Sequence, residues 1–515
     1  MTEAVLPPTL ESDSLDADVV IVGYGPAGQV LAALLGQAGH RVIVLERRRG
    51  RYETPRAGHF DHEIMRVFQA LGIADEVSRI ADPAHSYEFL DPDGTVVARL
   101  PRDWDAPSGW EASYHFYQPE LEEILDRAVR SIPSVDLRFD SNVVGVRQGD
   151  GRVGISLADG STVTGRFVVG ADGANSAVRT LSGIATQDLG FQADWIVADV
   201  RPLAGAPALD IPDTGQVLNP ARPSHMGRVS ARYYRWEFML VDGDDREEIA
   251  TREGVWRLLA PWIGPEQGEL IRHTIYTFRS VVAETFRRGA VLLAGDAAHV
   301  MPPFLGQGMC SGIRDSTTLA WMLDLVLSGS SDPRLLDQYT ATRKSHVVTY
   351  IEESVRIGTV VCETDPGRAA QRRDALMSAT ELPPPFQPAI EAGIRAGDRL
   401  AGHLAIQPRL RTQEGRGRRA DDVLGHGFTL VSLVPLDGAV QALADELGER
   451  VGLRTAVLGV DVEEDGDTLR AWATREGVIA VLVRPDFYVF GTASSVADIA
   501  DLLASLHDSL SVAAR

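Results

Sequence analysis

The sequence predicts an α/β protein, and three observations carry that prediction. Residues 18–22 (Asp-Val-Val-Ile-Val) form a short apolar, β-branched run, Gly23-Tyr24-Gly25-Pro26-Ala27-Gly28 turns the chain, and residues 29–37 have helical character. A second apolar run at 41–46 completes a strand–helix–strand unit of about thirty residues. Farther on, alternating and aromatic-rich runs at 195–200, 229–241 and 274–278 predict a separate, largely antiparallel sheet.

Between these regions, helices are expected at 63–70 and 119–130, flanking an irregular piece that contains Trp104 and Trp110. Runs at 152–157 and 163–170, joined by Ala158-Asp159-Gly160, predict a meander. After Val291-Leu292-Leu293-Ala294 a long helix should start near Met309, with Ile313, Ala320, Leu323 and Leu327 facing inward. More helices are expected up to about 410. The Arg- and Gly-rich stretch 411–419 has the composition of a linker, and runs at 428–433, 454–460 and 478–483, alternating with helices, predict a further α/β unit over 420–515.

The net charge of −22, from 72 acidic and 50 basic residues, disfavours nucleic acid and acidic membranes as partners. Cys310 and Cys362 are the two cysteines, too few for a disulfide framework or a Cys-x-x-Cys zinc site, which fits a reducing cytoplasm. The acidic first eighteen residues do not suit a secretory leader, and the glycine-broken stretch 19–35 does not suit a membrane helix.

Gly23-x-Gly25-x-x-Gly28 after a strand and before a helix lets backbone amides approach a pyrophosphate. Glu46 ends the next strand, eighteen residues beyond Gly28, where a carboxylate can accept from ribose hydroxyls. Two further clusters put an acid and a glycine at the end of an apolar run: Asp172-Gly173 after residues 168–171, and Gly295-Asp296 after 291–294. A turn explains each cluster singly.

In the order GxGxxG, Asp-Gly, Gly-Asp they resemble the fingerprint of the class A flavoprotein aromatic hydroxylases, which include p-hydroxybenzoate hydroxylase and phenol hydroxylase. Residues 295–315 with Leu319-Ala320-Trp321 are similar to the 3-(3-hydroxyphenyl)propionate hydroxylase branch. The likeness extends to Pro55-Arg56-Ala57, Gln118-Pro119, Trp195-Ile196-Val197 and Trp236-Glu237-Phe238-Met239, and so spans about 17–360.

That resemblance implies a glutathione reductase-type, Rossmann-like FAD domain in two parts (17–190 and 281–410), an inserted antiparallel-sheet substrate domain (191–280), and a thioredoxin-like domain (420–515) without Cys-x-x-Cys. It places Gly23, Gly25, Pro26, Ala27 and Gly28 at the FAD pyrophosphate, Glu46 at the adenosine ribose with Arg47 beside it, and Arg56 and Gln118 at the centre of the cofactor. Gly295 and Asp296 would meet the ribitol, and Asp172 would support the same site and transient NAD(P)H binding. Pro303, Gly306, Gln307, Gly308 and Met309 would lie beside the flavin ring, with helix N-terminal amides stabilising negative charge on the reduced flavin. Here Phe487 stands where the relatives' closing hairpin often has Gly after Asp486.

The implied reaction uses NAD(P)H and dioxygen to hydroxylate a small phenol, such as a 3-(3-hydroxyphenyl)propionate-like acid, through a flavin C4a-hydroperoxide, with a base near the substrate. Candidates in the second sheet are Arg222, His225, Arg232, Tyr233 and Tyr234, although strand alternation keeps Tyr233 and Tyr234 from facing one pocket together. His59, His62 and Glu63 lack a third ligand at metal spacing and are assigned a structural role, so no metal is expected. Cys310 stands at a helix start, where a thiolate is favoured. Two alternatives share the cofactor motifs: a natural-product tailoring oxygenase, and a non-catalytic flavin-binding scaffold. The terminal unit leaves a homodimer open.

Overall fold

The computed structural model describes residues 15–51, 54–149, 151–379, 383–411 and 417–510. The readings made on residues 1–14 and on 412–416 of the expected linker lie outside the described residues.

One sheet is built around strand Ala17–Val22, which pairs in parallel with Val42–Leu45 on one side and Thr162–Gly170 on the other. Val135–Arg138 extends it past Val42–Leu45, and Val291–Leu293 extends it past Thr162–Gly170. Val19, Val20 and Ile21 are fully buried, as expected of a central parallel strand covered on both faces. The register sets Val22 opposite Gly170 and Gly170 opposite Leu293, so three strands end side by side. Their next residues are the glycine turn, Asp172-Gly173 and Gly295-Asp296. Three motifs that are distant in sequence thus emerge at the carboxyl edge of one sheet, where open α/β sheets bind ligands.

Helix Pro26–Gln37 packs against helix Gly308–Leu327. In the latter Ile313, Ala320 and Leu323 are buried, while Leu327 is half-buried.

The second sheet runs in the order His299–Val300, Gly268–Ala283, Thr186–Pro202, Tyr233–Met239, Ser224–Ser230, Thr214–Val217, Ser86–Leu90, Val96–Pro101. It departs from the sequence reading in two ways. The run 229–241 is split by a turn at Ala231-Arg232 into two antiparallel strands. Part of the stretch read as irregular supplies Ser86–Leu90, which pairs in parallel with Thr214–Val217 more than a hundred residues away, and Val96–Pro101 beside it. Alternation divides strand Tyr233–Met239 cleanly. Tyr234, Trp236 and Phe238 enter an apolar cluster with Ile196, Ala198, Val255 and Leu259, while Arg235 and Glu237 face the other way.

The C-terminal part carries a sheet in the order Arg454–Val457, Thr429–Ser432, Ala480–Val483, Val489–Ala493; its first pair is parallel and the others antiparallel. Helices Gly438–Val451, Thr468–Glu476 and Val496–Leu510 accompany it. It is locked to the rest of the chain by buried polar bonds. Asp486 binds Arg484 and accepts from Thr318 at 2.9 Å, Tyr488 donates to Glu63 at 2.9 Å, and Arg66 pairs with Asp421 at 2.6 Å. Phe487, at the position noted above, has φ +71, and its ring lies 4.6 Å from the Arg66 guanidinium. The hairpin therefore keeps the glycine-type backbone and uses the side chain as a contact.

Candidate active site

The carboxyl edge of the first sheet and the polar face of the second enclose a cavity of about 720 Å³. It extends from the glycine turn and Glu46, past residues 294–296 and 303–309, to His225 and Glu237.

The turn suits a pyrophosphate. A Cβ on Gly28 would overlap the carbonyl oxygen of Gly23, whereas one on Gly25 would meet only open space. Gly25 caps helix Pro26–Gln37 without a side-chain hydrogen bond, and the first turn holds no acidic residue, so its amides and positive dipole end are left for an anion. Pro26, Ala27, Glu46, Arg47 and Arg56 all line the cavity. The Glu46 carboxylate accepts from the amides of Tyr24 and Arg48, both at 3.0 Å, which fixes its position.

Gln118 is fully engaged within the protein. Its Oε1 accepts from the amides of Arg56 and Ala57, both at 2.7 Å, and its Nε2 donates to Glu122 at 2.6 Å. Gln118 thereby shapes the 56–57 backbone. Asp172 also lines the cavity, but its oxygens accept from Ser176 Oγ at 2.5 Å and from the amides of Ala177 and Val178, fastening the start of helix Ala177–Leu181. Asp296 differs: it borders the cavity and, among the described residues, carries no hydrogen bond, and burial raises its pKa. A carboxylate that faces a cavity without a protein partner suits a polyol. The glycine cradle, the free helix end and Asp296 together fit FAD.

Loop 303–308 forms the wall between the two sheets. Gly306 has φ +68, and a Cβ there would come 2.8 Å from His59 Nδ1. Pro303, Gly306, Gly308 and Met309 line the cavity. Gln307 does not. Its amide donates to Asp61 at 3.0 Å and accepts from Arg314 at 2.8 Å, inside a buried network in which Arg314 also binds Asp61 and Glu63. Cys310 lies in the first turn of helix Gly308–Leu327, fully buried, and burial pushes its thiol pKa up rather than down. The thiolate suggested by its place at a helix start is therefore not favoured. His62 bonds Ser108 and Gln387, and no metal-ligand group occurs among the described residues.

Of the candidates in the second sheet, only His225 reaches the cavity. Arg222 is bound bidentately to Asp244 at 2.8 and 2.7 Å. Arg232 sits in the hairpin turn, paired with Glu120. Tyr233 stacks on Tyr117 with ring centroids 4.0 Å apart, and Tyr234 is in the apolar cluster on the far face. The sequence reading missed residues that do line this end: His59, Tyr87, Arg102, His115, Gln216, Arg235, Glu237 and Arg272. Arg235 and Glu237 had a readable signal, since they alternate with Tyr234, Trp236 and Phe238.

Burial dominates the electrostatics of this chamber. It lowers the pKa of His225 to about 3 and of His115 to about 4, and holds His59 well below the usual histidine value. All three are neutral at physiological pH. Arg235 and Arg272 share Asp199, at 2.7 and 3.4 Å. Burial also raises the Glu237 pKa.

Residues 16–354 match the family described as FAD binding domain, and residues 402–509 match the HcaD C-terminal domain. The chain is 38% identical over 508 residues to the probable NADH-specific resorcinol 4-hydroxylase of Rhodococcus jostii (strain RHA1), covering 95% of this chain and 94% of that one. It is 34% identical over 438 residues to the 3-(3-hydroxy-phenyl)propionate/3-hydroxycinnamic acid hydroxylase of Mycolicibacterium gilvum (strain PYR-GCK), covering 82% and 76%. Aklavinone-11 hydroxylase, solved with FAD and aklavinone, shares the fold with a TM-score of 0.80 at 23% identity, over 96% of this chain and 100% of that one. The chain belongs to the FAD-dependent aromatic hydroxylases and is a flavoprotein monooxygenase that takes FAD as cofactor and NAD(P)H as reductant.

Proposed function

We propose that the enzyme hydroxylates a small phenol carrying a second substituent meta to its hydroxyl, with NADH and dioxygen as co-substrates. The two named relatives act on resorcinol and on 3-(3-hydroxyphenyl)propionate, which share that pattern. The observation that carries the reading is the continuity of the cavity from the glycine turn to the polar sheet face, which lets one cofactor span both ends. Bound FAD supplies electron transfer from NADH and activation of dioxygen. The protein supplies a chamber walled by loop 303–308 and lined by neutral His59, His115 and His225, whose rings can hydrogen-bond polar groups of a substrate.

In this reading Gly23, Gly25, Pro26, Ala27 and Gly28 hold the pyrophosphate, Glu46 and Arg47 the adenosine end, and Gly295 and Asp296 the ribitol. Arg56 meets the centre of the cofactor and Gln118 positions it. Pro303, Gly306, Gly308 and Met309 border the ring, while Gln307 and Asp172 act by holding the neighbouring backbone. We divide the chain into an FAD domain (17–190 and 281–410), an inserted substrate domain (191–280) that borrows residues 86–101, and a thioredoxin-like domain (420–515). The mixed sheet and helices of the last support that division. Free Cys310 and Cys362 are consistent with a cytoplasmic setting, and among the described residues no helix is long and apolar enough to cross a membrane.

The test is NADH oxidation and dioxygen uptake by FAD-loaded protein, with resorcinol, 3-(3-hydroxyphenyl)propionate and large polycyclic phenols as separate arms. Stimulation by either small phenol, with product heavier by one oxygen, is expected. Stimulation by polycyclic phenols alone would move the enzyme to the tailoring oxygenases, and bound FAD without turnover would make it a scaffold.

A further inference from the structure

We propose that Arg102 forms an oxyanion site in the substrate chamber and binds the aromatic substrate as its phenolate, the phenol proton being released to solvent. The inference rests on the reading that the substrate is a phenol. Arg102 follows strand Val96–Pro101, borders the cavity, and is half-buried by the surrounding protein. Its Nη1 donates to Ser113 Oγ at 3.1 Å, and its guanidinium carbon lies 5.0 Å from the Tyr87 ring centroid.

Among the described residues Arg102 has no paired carboxylate, and unlike Arg228 and Arg279, which also border the cavity without one, it is not exposed. Arg235 and Arg272 are paired with Asp199, Arg222 with Asp244, and Arg314 with Asp61 and Glu63. Among the described residues no carboxylate comes within ion-pair distance of Arg102. The acids nearest to it in effect are Asp61 and Asp213. Asp61 is taken by Arg314, and Asp213 accepts from the amide of His85 at 3.0 Å. The Tyr87 ring faces Arg102, and burial holds both this phenol and the Cys310 thiol in their neutral forms, with raised pKa values. His59 and His115, on the same side, are neutral. Among the described residues Arg102 thus uses one N–H donor, on Ser113, and its charge stands beside neutral imidazoles, with Asp213, which no arginine pairs, on the same cavity. A buried charge in this state is stabilised by an anion.

The hydrogen bonds of Arg102 also connect it to loop 303–308. Ser113 Oγ accepts from Arg102 and lies 2.7 Å from His59 Nε2, and His59 Nδ1 lies 3.3 Å from the Gly306 carbonyl. Because that carbonyl can only accept, Nδ1 carries the proton and Nε2 accepts from Ser113. The Arg102 charge is therefore oriented by a chain that ends on the wall between the two sheets. Nearby, Gln216 is buried and lines the cavity, and among the described residues its Oε1 has no hydrogen-bond partner.

The test is a binding titration that needs no turnover. A nitrophenol whose ionised form absorbs in the visible is added to FAD-loaded protein without NADH, at a pH about one unit below the phenol's own pKa. The expected result is a phenolate band on binding to the wild type, loss of that band in Arg102→Gln with at least about tenfold weaker binding, and partial retention in Arg102→Lys. Anisole, which cannot ionise, should bind both proteins alike, showing that the chamber is intact. A nitrophenol that stays neutral when bound, or a band unchanged in Arg102→Gln, would overturn the proposal. A 3-phenylpropionate arm identifies the anion: an affinity loss confined to that acid would assign Arg102 to a carboxylate and remove the phenolate. Failure of resorcinol to stimulate NADH oxidation, with the band intact, would count against the proposed reaction and not against this site.

Discussion

At the scale of single residues, the most informative side chain of the cavity beyond its substrate end is Glu122. Burial raises its pKa to about 7, and among the described residues one of its buried carboxylate oxygens has no hydrogen-bond partner. The folded protein holds a proton that the unfolded chain has already released, so folding loses stability as pH rises from the usual carboxylate range through about 7. Glu122→Gln should therefore raise the melting temperature of the FAD-free protein at about pH 8 and leave it nearly unchanged at about pH 4. A difference independent of pH would refute the buried-carboxyl account. Glu122 could not be found by motif, since it is one of several acids on an amphipathic helix and only the fold shows that it points inward. Arg235 and Glu237 were legible through strand alternation. Arg102 and His115 were not, because their strands' neighbours are set by tertiary pairing rather than by local pattern.

At the scale of elements, the glycine turn is the part the sequence defines most tightly. Gly28 stands where its backbone meets the carbonyl of Gly23, and a larger residue must push the helix off the strand end. Gly28→Val is expected to weaken FAD binding by at least about a hundredfold, or ~3 kcal/mol, measured by quenching of flavin fluorescence on titration. Unchanged affinity would show that the pyrophosphate lies elsewhere. The parallel strands and helices Pro26–Gln37 and Gly308–Leu327 were legible because periodicity and end signals agree there. The split at Ala231-Arg232 was not: the turn is only two residues long and lacks glycine, asparagine and proline. Phe487 shows the reverse case, a glycine-type backbone hidden beneath an aromatic residue that the Arg66 contact retains.

At the scale of the whole molecule, the order in which the site is completed matters. The strand that leads into Gly295-Asp296 pairs beside Thr162–Gly170, yet about 265 residues separate Gly28 from Leu293. At ribosomal speeds of roughly 5–20 residues per second, the pyrophosphate cradle waits some fifteen to fifty seconds for its neighbour. The second sheet emerges in the interval, and the wall at 303–308 and the helix behind it come later still. If these residues hold FAD as proposed, its loading is a late event in biosynthesis. Chains stalled on the ribosome with 285 residues exposed should retain no flavin, whereas chains with 420 exposed should begin to, and flavin on the shorter chains would contradict this order. Riboflavin supply would then act on the yield of finished enzyme by trapping chains whose synthesis is already well advanced.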